Sequence, residues 1–171
     1  MKKPLILSLA VVALDQATKA LIVHYVPEGT VALSVFNDFL RIVHVRNDAV
    51  AFSIGSSLAV PVKLIGFVLL PLALVAGISI VMCSEKLSEG LTMGQRWCLA
   101  GIAGGGAGNL IDRIFRSLRV VDWISTNNYG WFGMERFPTY NLADAAVVVS
   151  VAVFIVLLII GQARSAGVKE N

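Results

Sequence analysis

Two aspartates, Asp122 and Asp144, stand in surroundings that push their proton affinities apart, and such contrast is how one fold assigns acid and base roles. Asp122 lies within Val120-Val121-Asp122-Trp123-Ile124, where apolar flanks favour the protonated form of a carboxyl. Asp144 falls in the expected first turn of an apolar helix that starts after Pro138-Thr139. Asn141 stands three residues earlier on the same face. The positive end of a helix dipole favours the ionised form there. Two carboxyls that share a proton can activate a water and protonate a leaving amine. Taken singly, Asp144 reads as a helix-dipole partner and Asp122 as an interfacial turn residue. Placed together at one interface they point to hydrolysis at a membrane surface, with no substrate named.

Other polar residues occur inside apolar runs, where each costs several kcal/mol unless it is paired. Asp15 and Lys19 are four apart and share a helix face, either as an internal ion pair or as part of a site. Asn109, Asp112 and Arg113 sit at spacings of three and four, near one face at the end of another run. Gly101, Gly105 and Asn109 form one row above that tip, with Ala100, Gly104 and Gly108 beside it. Small residues four apart allow helix backbones to approach closely, so this row is a packing surface and its polar tip a binding site. Cys83 and Cys98 read as small buried hydrophobes. His24 and His44 stand in no His-x-x-x-His or Cys/His arrangement, which argues against a zinc protease.

The elements that must carry these residues are membrane spans. The chain is 57% hydrophobic and 15% charged over 171 residues, with a mean hydropathy of +0.79, outside the range of water-soluble domains. A bilayer crossing needs about 20 mostly apolar residues. Apolar stretches run over Pro4–Val26, Leu64–Cys83, Trp97–Ile111 and Ala145–Ala163, which places spans at about 4–26, 60–83, 95–115 and 139–162 in one membrane domain. Lys2-Lys3 before an apolar run also resembles a secretory signal peptide, but the apolar character resumes at Ala20–Val23, which favours a retained span. Thr30–Phe36 alternates, Phe39–Arg46 is rich in β-branched residues, and Asn37-Asp38 is turn chemistry, so a small hairpin is expected between spans one and two. The segment Phe115–Thr139 carries Trp123, Tyr129, Trp131, Phe132 and Phe137, as a surface-lying interfacial loop would. The expected class is therefore an all-α integral membrane protein with four transmembrane helices and a small β element.

Charges divide evenly between the sides. Lys2, Lys3, Lys86, Arg96, Arg164 and Lys169 oppose Arg41, Arg46, Arg113, Arg116, Arg119 and Arg136. The lysine pair before the first span puts both termini in the cytoplasm, leaving 27–59 and 116–138 outside. A net charge of +3 without basic runs gives no sign of nucleic-acid binding. A transporter with Asp15, Lys19, Asp112 and Arg113 along a polar path is a rival, although only Asp15 stands near mid-bilayer. A non-catalytic scaffold is another.

In five blocks, in order, the chain resembles the bacterial lipoprotein signal peptidases (signal peptidase II). They are Asp15–Lys19, Asn47–Phe52, Gly105–Arg113, Val121–Trp123 and Tyr140–Asp144, and the match that carries them extends over nearly the whole chain. Ala49 replaces the glycine usual in the second block, while Trp123 and Tyr140 replace the more usual phenylalanines. The resemblance implies an intramembrane aspartyl endopeptidase of the bacterial cytoplasmic membrane that uses no metal or organic cofactor; contact with membrane lipid and a monomeric state are expected. Its substrates would be diacylglyceryl-modified prolipoproteins, cut before the lipidated cysteine. Asp122 and Asp144 would be catalytic. Arg113, Asn109, Asp112, Asn47 and Asn141 would hold the substrate backbone and orient the pair, with Asp15 and Lys19 shaping the cleft.

Overall fold

The computed structural model describes residues 3–48 and 58–167. Ala49–Phe52 of the second motif block, and Lys2 and Lys169 of the charge comparison, lie outside the described residues. The helices are α1 (Lys3–Tyr25), α2 (Val60–Leu64), α3 (Leu70–Cys83), α4 (Glu85–Ser88), α5 (Met93–Phe115) and α6 (Leu142–Gly167). A π-helical turn, Ile65–Leu69, joins α2 to α3 as one run from Val60 to Cys83. Three strands, β1 (Val31–Val35), β2 (Leu40–Asn47) and β3 (Val120–Thr126), form an antiparallel sheet in that order.

Three helical stretches, Lys3–Tyr25, Val60–Cys83 and Leu142–Ala163, are long and apolar enough to cross a bilayer. Their large aliphatic side chains point outward: Leu9 is 71% exposed, Leu70 57% and Ile159 61%. Leucine and isoleucine turned outward along whole helices are stable only where the surrounding solvent is apolar. The 23 residues of α5 match α1 in length, but α5 is rich in glycine and buries Gln95, Asn109 and Asp112.

Around α5 the other helices pack, and its glycines explain how. A Cβ on Gly104 would stand 2.9 Å from the Ser8 backbone of α1, and one on Gly106 2.9 Å from Val75 of α3. One on Gly105 would strike the Ala143 carbonyl of α6 and stand 2.7 Å from Val147. One on Gly108 would stand 2.6 Å from the Asp15 carboxylate. The glycine row is the packing surface its spacing implies, and it presents Asn109 and Asp112 to α1 and α6 at close range. α5 starts two residues before the expected boundary, because Thr92 and Gln95 form a reciprocal cap: Thr92 Oγ1 accepts the Gln95 N–H and Gln95 Oε1 accepts the Thr92 N–H.

The expected hairpin is present, with Phe36, Asn37 and Asp38 all at positive φ in its turn. A third strand was not expected. Part of Phe115–Thr139, read as an interfacial loop, is β3, which pairs with the second edge of β2. An open edge of β2 offers unpaired N–H and C=O groups, and the β-branched run Val120-Val121 with Ile124 and Thr126 suits a strand. Asp122 is thereby a strand residue opposite Val45, and Asn47 stands opposite Val120. Ile124 also bridges to Tyr140, which ties the strand to the residues that open α6.

Candidate active site

The site forms where β3, the ends of α1 and α5, and the start of α6 converge. α6 begins at Leu142 rather than near 139, and its cap is Asn141. Asn141 Oδ1 accepts the Asp144 N–H at 3.0 Å, while Asp144 Oδ2 accepts the Asn141 N–H at 3.1 Å. This reciprocal cap uses two of the orphan donors at a helix start. It also fixes Asp144 on the first turn.

The fully buried Asn141 side chain then reaches the other aspartate, its Nδ2 donating to Asp122 Oδ1 at 2.7 Å. A single asparagine therefore binds both carboxyls. Asp122 Oδ2 accepts a second bond from Asn47 Nδ2 at 3.1 Å, across the β2–β3 pairing. Burial, reinforced by the charge of Asp144, pushes the Asp122 carboxyl up to about 7. The Asn47 and Asn141 bonds and the charge of Lys19 act in the opposite direction.

A second layer orients the first. Lys19 Nζ lies 2.8 Å from Asp15 Oδ2 and 3.1 Å from Asp112 Oδ2, with all three side chains wholly buried. It also donates to Asn109 Oδ1 at 2.9 Å. With its oxygen held by Lys19 and by Asn141 Nδ2 at 3.1 Å, Asn109 turns its Nδ2 to Asp144 Oδ1 at 2.7 Å. Asp15 Oδ1 accepts the Ala143 N–H of α6, and Asp112 Oδ2 accepts the Val121 N–H beside Asp122. The ion-paired layer thus grips the backbone next to each aspartate of the pair.

All nine residues singled out from the sequence meet in this region, but not in one role. Asp15, Lys19 and Asp112 form the buried ionic layer and bond to neither the Asp122 nor the Asp144 carboxyl. Arg113 lies apart from that layer, with its guanidinium carbon 5.7 Å from the ring centre of Phe67 and within the fields of Asp144, Asp122 and Asp112. Gln16, not singled out from the sequence, belongs to this layer: its Nε2 donates to Asp15, to Asp112 and to the Gly108 carbonyl. An amide inside an apolar span was the available signal. Also not singled out were Lys63, buried and paired with Asp48 at 2.8 Å, and Phe67, for which an apolar span holds no signal. Among the described residues, no group of three or more His, Cys, Asp or Glu is placed to hold a metal ion.

The chain is similar to known proteins over most of its length. Residues 7–160 match the family model described as signal peptidase (SPase) II. A lipoprotein signal peptidase of Borrelia duttonii (strain Ly) is 42% identical over 83% of this chain and 81% of its own length. One from Treponema pallidum (strain Nichols) is 41% identical over 84% and 76%. Among solved structures, a bacterial membrane enzyme determined by the in meso method at 2.3 Å resolution superposes with a TM-score of 0.78 at 24% identity, covering 96% of this chain and 92% of that one, and so shares the fold. The family match, over residues 7–160, includes the residues that build the site, and the chain belongs to the signal peptidase II family.

Proposed function

We propose that Asp122 and Asp144 are the catalytic pair of an aspartyl endopeptidase that removes the signal peptide from diacylglyceryl-modified prolipoproteins, cutting before the lipidated cysteine. Removal of signal peptides from prolipoproteins is the activity of the family. The observation that carries the aspartyl assignment is the bridge of Asn141 between the two carboxyls, its side-chain Nδ2 on Asp122 and its backbone N–H on Asp144, combined with the raised proton affinity of Asp122. In the reaction, the Asp144 carboxylate takes a proton from water as the oxygen attacks the scissile carbonyl. The Asp122 carboxyl, protonated below about pH 7, donates its proton as the C–N bond breaks. A signal peptide with a new carboxyl end and a protein with a free cysteine amine leave the site. One proton remains shared by the pair, ready for the next cycle.

The supporting residues follow from the same geometry. Asn47, Asn109 and Asn141 fix the carboxyl oxygens, while Asp15, Lys19 and Asp112 lock α1, α5 and α6 in register around them. Arg113 has no acidic partner within ion-pairing distance among the described residues, so its donors suit the carbonyls of an extended substrate. With α5 counted as a span shielded by its neighbours, the chain crosses the cytoplasmic membrane four times with both termini inside. The domain is then one unit over 1–171, with the pair at the outer surface. One chain supplies every residue invoked, so a monomer suffices, and no cofactor takes part. A gel-shift assay tests this: the wild type should cleave a lipidated lipobox substrate and leave the unlipidated one intact. Equal cleavage of both would remove the diacylglyceryl requirement.

A further inference from the structure

The second membrane run changes its winding beside the site. Ile65–Leu69 form one π-helical turn between α2 and α3. Such a turn inserts a residue into the helical repeat and re-aims the side chains around it, and π turns are frequent at functional sites. The side chain turned inward here is Phe67. Leu64, Ile65 and Leu69 face outward at 43%, 61% and 56% exposure, whereas Phe67 is 8% exposed. Its ring lies against the Arg113 guanidinium, and Arg113 Nε is buried with no hydrogen-bond partner among the described residues.

We propose that Phe67 is a positioning residue: its ring face holds the Arg113 guanidinium beside the aspartate pair without consuming an N–H donor. This rests on Arg113 as the ligand of the substrate backbone, as proposed above. The choice of an aromatic has a physical reason. A carboxylate in that place would occupy the donors, and an aliphatic side chain would desolvate the cation with no attraction in return. Left unheld, the guanidinium can swing onto Asp122 or Asp144, whose charges already act on it. That collapse would withdraw its donors from substrate. Lys63 lies four residues earlier on the same helical run, equally buried, and its ion pair holds Asp48 next to Asn47, a ligand of Asp122. The π-turned run therefore supports the site from a third side.

The test replaces Phe67 with mono-, di- and trifluorophenylalanine, which keep its shape while draining the negative ring face, and with Tyr and Leu. For the full chain in detergent, kcat and KM are measured on a lipidated lipobox peptide. KM should climb stepwise with fluorination, reaching roughly three- to tenfold for the trifluoro form and for Phe67→Leu. Phe67→Tyr should stay near wild type and kcat should change little. A flat fluorine series overturns the proposal, even if Phe67→Leu unfolds more easily, because Phe67 would then be packing alone. The Asp122→Asn variant separates the two claims. If it is inactive while the series is flat, only the role of Phe67 falls; if it cleaves, the aspartyl reading falls and this proposal with it.

Discussion

Replacing Lys19 with methionine removes one charge from the centre of the structure while nearly preserving volume. The Lys19 ammonium touches Asp15 at 2.8 Å, Asp112 at 3.1 Å and Asn109 at 2.9 Å, in a place with no solvent access. In Lys19→Met, among the described residues, Asp15 keeps only Gln16 and the Ala143 N–H, while Asp112 keeps Gln16, the Val121 N–H and Arg116 at 3.4 Å. Among the described residues Asp15 would then face no cation, and Asp112 only the partly exposed Arg116. Breaking a buried pair by removing one partner costs about 3–5 kcal/mol, a large share of a typical stability of roughly 5–15 kcal/mol. Unfolding in detergent should show that loss. The double variant Lys19→Met/Asp15→Asn should recover part of it, since one stranded charge is gone. The charge of Lys19 also lowers the proton affinity of Asp122, so its removal should carry the carboxyl further above about 7 and move the alkaline limb of activity to higher pH. Wild-type stability together with an unmoved alkaline limb would refute this account of the buried layer.

Activity in the wild type should fall as pH rises through about 7, as Asp122 loses the proton it is proposed to donate; a pH–rate profile flat from 5 to 9 would contradict that role. Because folding raises the Asp122 proton affinity, the stability that this carboxyl contributes is fully present below its ordinary value of 3.8 and lost as pH rises through about 7. Asp122→Asn should therefore unfold later than wild type at pH 8, by up to about 4 kcal/mol, with the gap closing near pH 3. Gly105→Ala would press a methyl into the Ala143 carbonyl beside Asp144, and should cost about 1–3 kcal/mol and reduce turnover, whereas Gly77→Ala, with open space around it, should cost neither.

What could be read from the sequence follows from how far each signal reaches along the chain. The apolar lengths of the first, second and fourth runs are local properties, and those helices form where expected. Spacing was also sufficient for the glycine row, because residues four apart on a helix share a face whatever the helix packs on. Strand β3 was hidden because its partner β2 is about 75 residues earlier, and tryptophan among β-branched residues reads equally as an interfacial loop. Asn141 was legible as a neighbour of Asp144, but its reach to Asp122 depends on Tyr140 pairing with Ile124, a contact no periodicity encodes. Phe67 was invisible for a similar reason: one phenylalanine among leucines acquires meaning only when a π turn aims it at Arg113.

The assignment of cleavage to Asp122 and Asp144 together requires that both carboxyls exchange protons. Its most direct test is the single-turnover rate on a lipidated lipobox peptide for Asp122→Asn and Asp144→Asn, with each variant shown to be folded. Both substitutions keep the side-chain shape and remove the ability to exchange a proton at that position. Each alone should abolish cleavage, and the double variant should be no worse than either. Cleavage near the wild-type rate by either folded variant would contradict the assignment.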